Sequence, residues 1–86
     1  MMSKQEFDRG VSEIIHRERL EMGWSQGELG RRAGITQRAI SAIESGRNGL
    51  TFYSAYGIAN ALGISITDFY LENHVMSNYR RNRPNV

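Results

Sequence analysis

The sequence predicts an all-α protein, a compact bundle of about five short helices. Apolar residues recur at intervals of three and four along most of the chain, which is the spacing of one buried helix face. Serine or threonine precedes several of these segments and glycine follows them, as is typical of helix N-caps and helix ends. The remaining helices are expected to pack around two short ones within residues 26–46.

The first helix is predicted to run to about Glu21, before Gly23, from apolar residues at helical spacing, which are Phe7, Val11, Ile14 and Ile15. Leu20 and Met22 are expected to continue this apolar pattern. Residues 1–6 are polar, and we expect them to form a flexible N-terminus because nothing ties them to a core.

The next two helices form the centre of the sequence. Ser25 followed by Glu28 is the pattern of a capping box, in which the two side chains each bind a free backbone N–H group. A helix therefore begins at about Gln26. Gly34 ends it, because glycine adopts positive φ at little cost, and Thr36 caps the second helix.

Two glycines lie inside the first helix of this pair, at Gly27 and Gly30. Each costs up to about 1 kcal/mol relative to alanine. Close packing of the two helices accounts for Gly30, whereas the sequence gives no reason for Gly27.

The second helix of the pair has one apolar face, formed by Ala39, Ile40 and Ile43. The residues predicted to face outward are Gln37, Arg38, Ser41, Ala42 and Ser45. Glutamine and arginine have planar side-chain ends that match base edges, glutamine those of adenine and arginine those of guanine. Their position in the first turn of an exposed helix is typical of a recognition helix.

A fourth helix is predicted between Thr51 and Gly63. Its inward-facing residues are predicted to be Phe52, Ala55, Ile58, Ala59 and Leu62. Ser65 and Asp68 then form the cap of a short fifth helix. The apolar residues of that helix are Ile66, Phe69 and Tyr70.

The sequence resembles the Cro/phage-repressor family of helix-turn-helix regulators, also called the XRE family. The resemblance covers roughly residues 11–70, and the matching runs are Gly23–Gln26, Glu28–Gly30, Ala33–Thr36, Ile40–Gly46 and Ala59–Ile64. It implies a bundle of the phage-repressor DNA-binding type. It also implies a sequence-specific transcriptional regulator, a repressor or autoregulator, that binds a near-palindromic operator in double-stranded DNA as a homodimer.

The exposed face and the resemblance together suggest residue roles. Base contacts are expected from Gln37, Arg38, Ser41 and Ala42, the last leaving room for a thymine methyl group. Phosphate contacts are expected from Gln26, Thr36, Arg19, Arg47 and Asn48. The alternative for Gln26 is a solvated surface residue. The resemblance also implies a partly buried structural ion pair between Arg19 and Glu44.

Two features towards the C-terminus favour contacts between proteins. Tyr53 and Tyr56 fall outside the inward stripe of the fourth helix, and the expected dimer interface consists of Tyr53, Tyr56, Phe69 and Tyr70. The alternative for these tyrosines is a stacking platform for single-stranded bases. A basic tail, residues 73–86, follows a predicted DNA-binding domain of residues 7–72. The tail either docks on a partner subunit, follows the phosphates or minor groove, or is a disordered arm.

A second class of function stays open, a protein-interaction module such as the antitoxin of a toxin-antitoxin pair. The exposed tyrosines and the apolar residues of the tail favour it. A toxin or a polymerase is then a conceivable partner, and the sequence identifies neither.

Composition argues against other classes. The chain has 86 residues, no cysteine and two histidines far apart, which fits one small domain without a disulfide or a metal site. We find no nucleophile and base arrangement and no phosphate-binding loop, so we expect neither an enzyme nor a cofactor. The absence of a long apolar run predicts a soluble, cytoplasmic protein without a membrane segment. Positive charge is concentrated in residues 24–50 and at the end of the tail, where phosphate contacts would use it.

Overall fold

A computed structural model describes residues 3–68 of the chain. Four helices follow one another, α1 (Lys4–Glu21), α2 (Gln26–Ala33), α3 (Gln37–Glu44) and α4 (Phe52–Leu62). Residues 66–68 are helical again, and the Ser65 hydroxyl caps them by accepting the backbone N–H of Asp68 at 3.0 Å. The predicted all-α fold is confirmed. Phe69, Tyr70 and the basic tail lie outside the described residues.

Each of the four helices begins after a hydroxyl residue. The N-caps are Ser3, Ser25, Thr36 and Thr51, and each side-chain oxygen accepts the backbone N–H three residues further on. Between α2 and α3 the chain turns through Gly34, whose φ is 76°. This short turn makes α2 and α3 the predicted helix-turn-helix pair.

Residues 3–6, which were expected to form a flexible N-terminus, are the N-cap and first turn of α1 in the structure. Ser3 and Glu6 form a complete capping box, in which the Ser3 Oγ accepts the Glu6 N–H at 3.1 Å and the Glu6 carboxylate accepts the Ser3 N–H at 3.3 Å. Lys4 also pairs with Asp8 at 2.7 Å. These local bonds satisfy the first turn of α1 without burial, so the helix begins before its first apolar residue.

The predicted capping box at α2 is only half present. The Ser25 Oγ accepts the Glu28 N–H at 3.0 Å, but the Glu28 carboxylate turns towards Arg31 and Arg32. Charged guanidinium groups three and four residues further on attract a carboxylate more strongly than a neutral N–H does.

The core lies where the apolar faces of the four helices meet. Its largest fully buried side chains are Val11, Ile14, Ile15, Leu29, Ile40 and Ile58. Three residues predicted to face inward are exposed instead, Leu20, Met22 and Phe52, the last 72% exposed. All three lie at helix ends. The neighbouring helices cover the middle of each apolar face but do not reach its ends.

Two glycines let other elements approach α2 closely. A Cβ at Gly30 would lie 2.7 Å from the carbonyl oxygen of Ile35, in the turn before α3. A Cβ at Gly57 of α4 would overlap the carbonyl oxygen of Ala33 at the end of α2. Both neighbours are backbone atoms, so α3 and α4 reach their positions against α2 because these residues lack a side chain.

A buried carboxylate joins three helices. Glu44 ends α3, and its side chain is only 4% exposed. Arg19 of α1 donates from Nε to Oε2 at 2.7 Å and from Nη2 to Oε1 at 3.0 Å. Gln26 of α2 donates to Oε1 at 3.3 Å. The structure thus contains the expected ion pair and extends it to α2.

Two further groups complete this cluster. The Nδ1 atom of His16 lies 2.9 Å from Oε1 of Glu44, and Arg19 donates from Nη1 to the carbonyl oxygen of Trp24 at 2.8 Å. Burial would raise the pKa of Glu44, but hydrogen bonds from Arg19, His16 and Gln26 outweigh this effect and lower the pKa below its ordinary value. The carboxylate is therefore ionised at neutral pH.

Within residues 3–68, no helix has the length and apolar character needed to cross a membrane.

Replacing Gly57 by alanine should destabilise the fold. The new Cβ would meet the Ala33 carbonyl, and displacing the backbone should lower the free energy of unfolding by about 1–3 kcal/mol. Urea unfolding followed by circular dichroism measures this. The control is Asn60→Ala on the exposed side of α4, which should raise stability slightly through helix propensity. Equal or higher stability of Gly57→Ala would contradict the close approach of α2 and α4.

Replacing Glu44 by glutamine should lower the free energy of unfolding at pH 7 by about 3–5 kcal/mol, because Arg19 then stays buried without its counter-charge. The same unfolding measurement applies, with Glu21→Gln as a surface control on α1. Replacing both partners, by Arg19→Met and Glu44→Leu, should recover part of the loss because no buried charge is left unpaired.

Stability should also depend on pH through Glu44. Its pKa is lower in the folded than in the unfolded protein, so its contribution is complete above the unfolded pKa and disappears as the pH falls through the folded pKa. Between about pH 5 and pH 2, wild type should therefore lose more stability than Glu44→Gln. Parallel stability profiles for the two proteins would rule out this contribution.

Candidate nucleic-acid interface

The first turn of α3 presents the side chains that were predicted to read bases. Gln37 and Arg38 are exposed, and Ser41, one turn later, is half-buried at the edge of the same face. Ile40 and Ile43 are buried on the opposite side of the helix. The position of these two isoleucines in the core fixes which residues α3 turns outward.

A shallow depression lies on the outer side of α2 and α3. Five side chains line it, those of Gln26, Gln37, Arg38, Ser41 and Arg47. Two guanidinium groups supply positive charge, and two amides and a hydroxyl supply hydrogen-bond donors and acceptors. This combination matches the chemistry of phosphate oxygens and of base edges in a DNA groove.

Ala42 does not belong to this face. The prediction that it points outward is wrong, since it is only 7% exposed. Its carbonyl oxygen accepts the backbone N–H of Arg47 at 3.0 Å, and Gly46 supplies the required left-handed turn with φ of 77°. The chain after α3 therefore folds back against the last turn of the helix.

The same turn determines which groups of the loop after α3 are free to bind a ligand. The backbone N–H groups of Arg47 and Asn48 both point to the carbonyl oxygen of Ala42, at 3.0 and 3.4 Å. Contacts to a phosphate would therefore come from their side chains, which are exposed. The Nε atom of Arg47 donates to the Ser45 hydroxyl at 3.0 Å, and the Arg47 side chain lines the depression.

The other residues expected to contact phosphate occupy different environments. Gln26, the first residue of α2, is half-buried and gives one N–H to Glu44. Thr36 is exposed, and its hydroxyl accepts the Ala39 N–H at 3.0 Å while keeping its own proton to donate. Both lie at helix N-termini, where backbone N–H groups and the helix dipole favour anions.

Arg19 lies inside the protein rather than on this surface. Its side chain is 10% exposed, and Nε, Nη1 and Nη2 all donate to Glu44 or to the carbonyl of Trp24. These bonds use three of the five guanidinium N–H groups, and the other two have little access to solvent because the side chain is buried. The structure therefore favours the structural role over the phosphate role that was also expected.

Sequence reasoning missed His16. It precedes Arg19 by one helical turn on α1, so the two share a face, and its Nδ1 reaches the Glu44 carboxylate. The spacing of three residues between His16 and Arg19 was the sequence feature that could have indicated this contact. The buried Ser12 was missed as well, and its hydroxyl lies 2.6 Å from the carbonyl oxygen of Ile43, holding α1 to the end of α3.

A separate apolar surface lies on α4. Tyr53 and Tyr56 are 74% and 55% exposed, and Phe52 beside them is exposed as well. Tyr56 follows Tyr53 by three residues and Phe52 by four, and residues at these spacings are neighbours on a helix, so the three rings form a single aromatic patch. Phe69 and Tyr70, the other residues assigned to a dimer interface, lie beyond the described part of the chain.

Comparison with known proteins agrees with this arrangement. A family model described as helix-turn-helix matches residues 15–69. An uncharacterized HTH-type transcriptional regulator from Methanothermobacter thermautotrophicus is 42% identical over 50 residues, which span 58% of this chain and 72% of that protein.

Two solved structures have a similar fold. The clp gene regulator ClgR from Corynebacterium glutamicum has a TM-score of 0.78 at 19% identity, covering 87% of this chain and 80% of its own. A point mutant of the restriction-modification controller protein C.Esp1396I has a TM-score of 0.72 at 28% identity, covering 92% and 97%. With the helix pair, its exposed polar face and the matching family model, the chain belongs to the helix-turn-helix family of DNA-binding transcriptional regulators of the Cro/phage-repressor (XRE) type.

Proposed function

We propose that the protein binds a near-palindromic operator in double-stranded DNA as a homodimer and regulates transcription by occupying it, as a repressor or autoregulator in the cytoplasm. The observation that carries this proposal is the depression on α2 and α3, where two arginines, two glutamines and a serine converge. A helix face of this size and polarity fits the major groove of B-form DNA.

The residues of α3 would read the sequence. Gln37 and Arg38 lie at the exposed N-terminal turn, where recognition helices contact base edges. Ser41, one turn further, would bond either a base or a phosphate. Each bidentate contact should contribute roughly 1–3 kcal/mol of discrimination between bases.

The surrounding residues would hold the duplex in register. Gln26 and Thr36 would donate to phosphates from the starts of α2 and α3, and Arg47 and Asn48 would reach a phosphate from the loop after α3. These contacts are independent of sequence, so they supply affinity and fix the orientation of α3 in the groove.

A second copy of the chain would complete the DNA-binding unit. One small domain buries little DNA surface, and two copies related by a twofold axis would place two recognition helices about one helical turn apart. We assign the contact between copies to the aromatic patch of α4, because its exposed rings have the composition typical of protein interfaces. Phe69 and Tyr70 are proposed to extend it.

Selection from random DNA duplexes at near-physiological salt tests the reading role of α3. Wild type should select a near-palindromic consensus, and the Gln37→Ala, Arg38→Ala variant should lose it. The control is Gln5→Ala, Arg9→Ala, which removes the same residue types from exposed positions on α1 and should keep the consensus. Salt-sensitive binding without a consensus, equal in all three proteins, would refute the assignment and favour a protein-interaction module.

Sedimentation analysis tests the aromatic patch. Replacing Tyr53 and Tyr56 by serine should weaken self-association by roughly tenfold or more, because exposed rings at an interface core often dominate its energy. Leu20→Ser, Met22→Ser is the control, since these residues are also exposed and apolar but lie at the end of α1. Equal association of all three proteins would place the dimer contact elsewhere.

A further inference from the structure

Gly27 is the second residue of α2, and its backbone conformation does not require glycine. The glycines with positive φ within residues 3–68 are Gly23, Gly34, Gly46 and Gly63, so Gly27 has an ordinary helical conformation. Glycine nevertheless destabilises a helix relative to alanine. The reason for this residue must lie in what surrounds it.

The carboxamide of Gln37 lies over Gly27. A Cβ built on Gly27 would be 3.3 Å from the Oε1 atom of Gln37, 3.8 Å from its Cδ atom and 3.7 Å from the Oγ atom of Ser25. The last two are ordinary van der Waals distances, whereas the first is too close. A single side-chain atom at the end of Gln37 therefore occupies the space that a methyl group would need.

The neighbours of Gly27 differ from those of the other glycines that pack against or within α2. The space beside Gly30 and Gly57 is taken by backbone atoms, which hold the helices together. The atom that a Cβ on Gly27 would meet first belongs to an exposed side chain on the proposed DNA-reading face. Alanine at Gly27 would therefore leave the helices in place and move the end of Gln37.

We propose that Gly27 is a specificity-determining residue that sets the position from which Gln37 reads a base, an inference that rests on the proposed function. The positive end of the α2 dipole attracts the amide oxygen of Gln37 and holds the carboxamide against the first turn of α2. This contact restricts a side chain that otherwise samples many rotamers.

The contact between Gly27 and Gln37 affects base recognition because bidentate hydrogen bonds tolerate little displacement. A bidentate hydrogen bond needs both amide atoms about 2.7–3.2 Å from their partners, so a shift of a few tenths of an ångström weakens it. The methyl group of alanine would force such a shift or drive Gln37 into another rotamer. Gly27 does not touch DNA in this scheme and acts only through Gln37.

Four proteins test the inference, namely wild type, Gly27→Ala, Gln37→Ala and the double variant. Each is titrated with the operator obtained by selection and with its single-base-pair variants, and the melting temperature of each protein is measured. Gly27→Ala should reduce the preference for the correct base by about threefold or more at the position that Gln37→Ala relaxes. In the Gln37→Ala background, the additional Gly27→Ala change should have no further effect, because the residue it acts through is gone.

The melting temperature separates this role from a structural one. Alanine favours the helix, so Gly27→Ala should melt about 2–6 °C higher than wild type while reading its operator less well. A clearly lower melting temperature would show that Gly27 supports the fold, and would overturn the inference.

The same titrations distinguish the failure of this inference from that of the proposed function. If Gln37→Ala relaxes one base position and Gly27→Ala binds every duplex as wild type does, the reading role of α3 stands and the role of Gly27 is refuted. If wild type prefers no base at any position, both proposals fail together. An equal loss of preference from Gly27→Ala with and without Gln37 would also refute the inference.

Discussion

The carboxylate of Glu44 is held by residues from the two helices that flank the base of α3. A charge that is nearly inaccessible to water is tolerated only if bonds in the protein replace its hydration. Arg19 supplies the opposite charge from α1, and Gln26 supplies an amide N–H from α2. Because removing either contact would leave the charge less well satisfied, α1, α2 and α3 keep their relative positions, and the face of α3 is presented at a fixed angle.

This cluster also connects the interior to the proposed DNA-binding surface. Gln26 bonds Glu44 with one N–H and lines the depression beside Gln37 and Arg38. At the C-terminal end of α3, the turn at Gly46 satisfies carbonyl groups of the last helical turn. The Arg47 side chain, which follows this turn, lines the same depression. The proposed reading and phosphate-binding residues are therefore positioned by hydrogen bonds and packing that extend directly into the core.

Local rules were sufficient for much of this arrangement. Helices are specified by the spacing of apolar residues and by caps whose donor and acceptor are three residues apart, so the helix pair and the outward position of Gln37 and Arg38 followed from short segments. The same rules would have extended α1 to Lys4 had the Ser3 and Glu6 pair been read as a capping box. The ion pair between α1 and α3 came only from resemblance, because no local rule relates residues so far apart in the chain.

The sequence by itself therefore determined the helical elements, their order and the polar face of α3. Tertiary structure decided which residues of each face are covered, since covering depends on elements distant in the chain. It buried Ala42 on α3, exposed Phe52 at the start of α4 and placed Arg19 in the interior. It also brought Gly27 under Gln37. That contact joins the second residue of α2 to the first residue of α3, and its distance is set by how closely the two helices pack.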